Sequence, residues 1–181
     1  FDVGRGKVRQ SHQISSRCKH DEIKKAALSN EHLLMHLEKL YHDSNHKIHL
    51  KPDIVTYNVT LNSWSKSANV LGRFGATKAE AILKRMMHIK NQDKTRTSTI
   101  IQQKQNGAAA KFRSAICRPT LISFHSVMDA WSNSGENDSG EQAEKIVRFL
   151  EEWNQQVECH NCIKLDIRTY TIIIDAWTNS G

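Results

Sequence analysis

The chain carries only two prolines and eight glycines in 181 residues. Collagen-like repeats and many-turned all-β designs depend on those residues and are excluded. Apolar runs extend over only a few residues, far short of the roughly 20 that a membrane-spanning helix needs. Four cysteines are too few for a disulfide-dense scaffold, so a reducing compartment is the default reading. P-loop, GxSxG and HExxH patterns are absent, which removes the common nucleotide-hydrolase, serine-hydrolase and zinc-protease signatures. What remains is 38% hydrophobic and 25% charged, enough for one ordinary domain or a short repeat array. The chain begins at Phe1 and stops at Thr178-Asn179-Ser180-Gly181. It reads as a piece of a longer protein, with any targeting segment outside it.

The net charge of +7 is unevenly spread: +3 over residues 1–53, +10 over 54–120 and −6 over 121–181. A basic middle beside an acidic end suits a polyanionic partner at one region, and a solvated basic loop gives the same sum.

An internal repeat is present. Lys51-Pro52-Asp53 precedes Ile54-Val55-Thr56-Tyr57-Asn58, Arg118-Pro119-Thr120 precedes Leu121-Ile122-Ser123-Phe124-His125, and Lys164-Leu165-Asp166 precedes Ile167-Arg168-Thr169-Tyr170-Thr171. The copies run on to Trp64 and Ser67, Trp131 and Ser134, and Trp177 and Ser180. A hydroxyl, an aromatic, a Trp and a final Ser agree in all three. Tyr57, Leu61 and Trp64 stand at i, i+4, i+7, as do Phe124, Met128 and Trp131, and Tyr170, Ile174 and Trp177. That spacing puts each trio on one face of a helix. The run Ile172-Ile173-Ile174 favours a strand locally, and the repeat register overrides it. Proline just before a helix costs no hydrogen bond, and Gly135 and Gly181 fit helix stops.

A second apolar stripe follows: Ala79, Ile82, Leu83 and Met86 in one copy, and Ala143, Ile146, Val147 and Leu150, extended by Trp153 and Val157, in the next. Each unit is therefore a helical hairpin, which buries its apolar face only by stacking on neighbours. The Trp, Tyr, Phe and Met residues of these stripes read as core between helices. The fold class predicted is all-α, an α-solenoid of stacked antiparallel helical hairpins. Residues 1–20 form a poorly ordered basic segment in this reading. Residues 21–53 form a degenerate hairpin, with a short helix over Asp21 to Leu28, a second over Glu31 to Tyr41, and Ser29 or Asn30 as cap. Residues 54–120 are one repeat, 121–166 the next, and 167–181 the first helix of a truncated third. Copy starts at 54, 121 and 167 give steps of 67 and 46. The excess is a basic insertion near 90–118, with seven Lys/Arg against the single acid Asp93, predicted to be a mobile loop.

Pro52-Asp53-Ile54-Val55-Thr56-Tyr57-Asn58, the apolar helix after it, and a second helix led by Ala79-Glu80-Ala81 resemble pentatricopeptide repeats. The resemblance covers residues 51–181, with a weaker extension over 21–50. The sequence departs from the family pattern in two ways: the steps of 67 and 46 exceed the family period of about 35, as they do in similar long variants of the repeat, and Trp64, Trp131 and Trp177 are heavier than the usual residue there. The resemblance implies a right-handed solenoid that binds single-stranded RNA, in a mitochondrion or plastid, to stabilise, process, edit or translate transcripts. About one base is read per repeat by two or three side chains, and Lys and Arg meet phosphates. It further implies that Asn58, His125 and Thr171 read bases together with the last motif residues Asp53, Thr120 and Asp166. Asn58 pairs with Thr120 and His125 with Asp166. Val55, Ile122 and Arg168 flank the bases. Asn58 leans to pyrimidines and Thr171 to purines.

Two plainer readings compete at these positions. Asp53, Thr120 and Asp166 precede helices, where Asp and Thr are ordinary N-caps. Thr56, Ser123 and Thr169 are competing caps and read as structural. Elsewhere, Cys159-His160-Asn161-Cys162 lacks the second ligand pair a zinc site needs. The histidines 32, 36, 42, 46 and 49 lack a paired nucleophile or carboxylate geometry. No cofactor, metal, membrane or small-molecule substrate is expected, and no catalysis. Other functions of such arrays stay open: a protein–protein scaffold, or the RNA-recognition arm of a protein-only tRNA-processing nuclease whose aspartate-rich catalytic domain lies outside this chain.

Overall fold

The computed structural model describes residues 4–44, 50–101, 118–156 and 162–180. These are all-helical, with no strand among the described residues. Six helices are described: α1 (Gly4–Asp43), α2 (Ile54–Leu71), α3 (Arg73–Ile101), α4 (Leu121–Ser134), α5 (Ser139–Gln156) and α6 (Ile167–Asn179). None is long and apolar enough to cross a membrane.

Local chemistry sets the boundaries. Asp53 caps α2, its Oδ1 accepting from Thr56 N at 2.8 Å and from the Thr56 hydroxyl at 2.7 Å. Asp166 caps α6 in the same way, accepting from Thr169 N at 2.9 Å. Each cap satisfies helix N–H groups that have no carbonyl partner one turn back. The chain leaves α2 through Gly72 at φ 55° and α4 through Gly135 at φ 62°, a conformation that a Cβ disfavours. Gly72 alone separates α2 from α3. Arg73 then bonds Asp138 at 2.6 Å and lies 3.6 Å from Glu136, tying the turn between α2 and α3 to the turn between α4 and α5.

The predicted stripes form the core. Tyr57, Leu61, Trp64, Phe124, Met128 and Trp131 are buried, with Ala79, Ile82, Leu83 and Met86 from α3 and Ala143, Ile146 and Leu150 from α5. The first helix of each copy packs on the next: α2 on α4, and α4 on α6. The second helix of each copy also packs on the following first helix, α3 on α4 and α5 on α6. The two steps are joined by equivalent bonds. Asn133 Nδ2 donates to Ser65 O at 3.4 Å, and Asn179 Nδ2 donates to Ser132 O at 3.2 Å. Those donors share one repeat register and those acceptors another, so the described helices are repeat-like in space as well as in sequence.

The third copy differs. Tyr170, Ile174 and Trp177 occupy the core columns but are 56%, 64% and 47% exposed. α6 packs its Ile172 and Ala176 side inward against α4 and α5, and Trp177 lies against Gly140 of α5 and donates to Glu144 Oε1 at 3.0 Å, while Tyr170 and Ile174 stand exposed.

Three expectations are corrected. α1 is one helix from Gly4 to Asp43, not a poorly ordered segment followed by a hairpin. Ser29 and Asn30 do not break it, because Asn30 Nδ2 donates across to Ser63 Oγ on α2 at 3.0 Å. Helix α3 continues to Ile101, so the first part of the 90–118 insertion is helical rather than a loop. Residues 102–117 of that insertion lie outside the described residues, as do Cys159, His160, Asn161 and Val157.

Candidate nucleic-acid interface

The first turns of α2, α4 and α6 carry the candidate residues. Val55 and Ile122 share a register, and both are exposed, at 61% and 64%. Val59, one turn after Val55, is exposed too. These apolar groups stand in water although the neighbouring columns are buried to the last few percent. Arg168 holds the same register on α6. It is exposed, and its guanidinium donates to Asp129 Oδ2 at 3.4 Å.

Asn58 is half-buried and reaches α4. Ser123 Oγ donates to Asn58 Oδ1 at 2.8 Å, and Thr120 N donates to Ser123 Oγ at 3.1 Å. Asn58 and Thr120, paired by the resemblance, are thus brought together through Ser123. No described residue bonds Asn58 Nδ2.

His125 and Asp166 are brought together by the same register of the next interface. His125 Nε2 lies 2.9 Å from Thr169 Oγ1 and 3.4 Å from Asp166 Oδ1. The Thr169 hydroxyl donates to Asp166 Oδ1 at 3.0 Å. A hydroxyl has one proton, so His125 Nε2 must carry its own and act as donor, which is also the tautomer that the nearby carboxylate favours. His125 is only 4% exposed. It does not offer Nε2 to a ligand, which departs from the role of base reader that the sequence suggested.

The electrostatics follow from burial and hydrogen bonding. Burial pushes the His125 pKa below its usual value, against the pull of Asp166, so the ring is neutral at pH 7. Burial pushes Asp129 up, and Arg168 partly offsets that. The Thr169 backbone N–H holds Asp166 below the ordinary carboxylate range, assisted by the Thr169 hydroxyl. Thr56 does the same for Asp53.

The remaining candidates are placed more simply. Asp53 is exposed and engaged as a cap. Thr171 is exposed, and its hydroxyl donates to Ile167 O at 3.0 Å, back into its own helix. Among the described residues no group of three or more His, Cys, Asp or Glu could hold a metal ion.

Ser123 and Thr169, which the sequence marks as competing caps, make these contacts between copies. They do contact the caps, and they also contact the preceding copy. The signal was their fixed register two residues before the reader column, which becomes a contact with the reader one copy back only when α2, α4 and α6 lie side by side.

Comparison with protein-family models, curated proteins and solved structures finds no match for this chain.

Proposed function

We propose that this chain is a non-catalytic, single-stranded RNA-binding module, an α-solenoid of stacked hairpins of the pentatricopeptide kind. The reading is carried by one observation. The register that the resemblance assigns to base contact is the one at which successive first helices leave apolar side chains exposed, Val55 and Ile122, beside the Nδ2 of Asn58, which no described residue bonds. An unstacked base buries its faces against such apolar groups, while its polar edge meets Asn58. Duplexes hide both features, so single strands are preferred. Phosphate contacts supply the salt-dependent part of the affinity, and a mitochondrion or plastid is the setting in this reading.

The test is a ¹⁵N-resolved NMR titration with a short single-stranded RNA. Perturbations centred on Val55, Asn58, Ile122 and Thr171 support the reading. Perturbations confined to residues 90–118 leave only a basic segment attracted to any polyanion, and contradict it.

A second reading, a protein-binding scaffold, is favoured by the exposed Tyr170 and Ile174 on α6. Apolar helical faces of that kind receive partner helices. RNA that perturbs Val55, Asn58, Ile122 and Thr171 and leaves Tyr170 and Ile174 untouched separates the two readings.

A further inference from the structure

The candidate readers are not independent side chains. Asn58 and His125 are each held by a hydroxyl from the following copy, and the direction of that bond can be worked out atom by atom. Ser123 Oγ accepts from Thr120 N at 3.1 Å. Its proton has two acceptors in view: Asn58 Oδ1 at 2.8 Å, and Thr120 Oγ1 at 3.5 Å, beyond good hydrogen-bond range. The proton goes to Asn58. That consumes the amide oxygen and leaves Nδ2, a donor, as the group available to a ligand. Ser123 is fully buried, so water does not take over its place.

At the α4–α6 interface the same register works in the opposite direction. The Asp166 carboxylate takes the Thr169 proton at 3.0 Å, and His125 must donate toward Thr169 at 2.9 Å. The last motif residue decides the direction. Thr120 has no carboxylate to capture the hydroxyl proton, whereas Asp166 does.

We propose that Ser123 is a positioning residue that sets the hydrogen-bonding polarity of Asn58, the reader one copy back, turning it so that its Nδ2 donor meets an acceptor on an RNA base. The proposal rests on the RNA-reading function above. The base atom met by Asn58 is a carbonyl oxygen or an unprotonated ring nitrogen. Without Ser123 the amide turns freely and presents donor or acceptor alike. Affinity then survives better than discrimination between bases.

The experiment measures affinities of the whole chain for single-stranded oligo(U), oligo(C) and oligo(A) of equal length. Wild type, Asn58→Ala, Ser123→Ala, Ser123→Cys and Ser123→Thr are compared, each first checked for helical content. Ser123→Cys keeps the shape with a poor donor and guards against an unfolded alanine variant. Loss of one oriented hydrogen bond predicts that base discrimination falls about 2- to 10-fold in Ser123→Ala and Ser123→Cys, toward the level of Asn58→Ala. Ser123→Thr, which carries the Thr of the other two copies, restores it. Discrimination lost in Asn58→Ala but unchanged in Ser123→Cys overturns the positioning role and leaves base reading standing. No effect of Asn58→Ala, or no discrimination in the wild type, overturns base reading and the positioning role together.

Discussion

Asn179 Nδ2 donates to Ser132 O over 3.2 Å, and Asn133, one copy earlier, reaches Ser65 O in the same register. At the other end of the same helices, Ser123 bonds Asn58 and Thr169 bonds His125. Each step from one first helix to the next is therefore pinned at both ends by side chains whose spacing the repeat dictates.

Equivalent bonds should carry equivalent energy. Asn133→Ala and Asn179→Ala are each expected to lower stability by about 0.5–1.5 kcal/mol, the net value of a neutral hydrogen bond. Denaturant titration of both single variants and the double variant checks this. The two sites are on different interfaces, so their effects should add.

The Trp column should split by burial. Trp64 is fully buried, and its ring meets Phe74 edge-on with centroids 5.8 Å apart. Trp64→Ala is expected to cost about 3–5 kcal/mol. Trp177 is 47% exposed, and Trp177→Ala is expected to cost less than about half of that. Equal losses in denaturant unfolding would mean that Trp177 is covered in solution.

The buried His125 makes stability depend on pH. Its folded-state pKa lies below 6.5 because burial disfavours the cation. The unfolded chain then takes up the proton first as pH falls. The stabilisation is complete above 6.5 and drains away as pH drops from there toward the folded-state value. Asp166, Asp129 and Arg168 face the ring, and the carboxylates limit the loss. Unfolding measured from about pH 7.5 to about pH 5 should show this slope, and His125→Asn should remove its share. Asn can still donate to Thr169, as His125 does.

Asp53 should behave as a cap whatever else it contacts. Asp53→Ala is expected to cost about 0.5–2 kcal/mol and Asp53→Asn only a few tenths, because Asn caps equally well. The Thr56 N–H and hydroxyl hold the carboxylate below 3.8. The stability it contributes is therefore present above 3.8 and lost as pH falls toward the folded-state value. Thermal unfolding of the three proteins at neutral and acid pH reads both effects.

The buried faces of α2 and α4 were legible because packing demands a fixed spacing. Residues that meet a neighbouring helix recur at i, i+4 and i+7 whatever their type, and Tyr57, Leu61 and Trp64 show it without any structure. Continuity of α1 was not legible. Ser29-Asn30 has the chemistry of a cap, and only the presence of Ser63 across the interface turns Asn30 into a cross-link. The exposure of Tyr170 and Ile174 was hidden for a related reason, since periodicity marks an apolar face and does not say whether anything covers it. At the candidate site, the register located Asn58 and Val55 but not what they touch. Burial of His125 depends on Thr169 and Asp166 closing over it from α6, a relation between copies that no single copy contains.

The most direct measurement is fluorescence anisotropy with short single-stranded RNAs, against duplex RNA and single-stranded DNA, at two salt concentrations, with Asn58→Ala alongside. The account predicts a preference for single-stranded RNA, affinity that weakens with salt, and an altered base preference in the variant. Equal binding to every polyanion with no change in Asn58→Ala would contradict it.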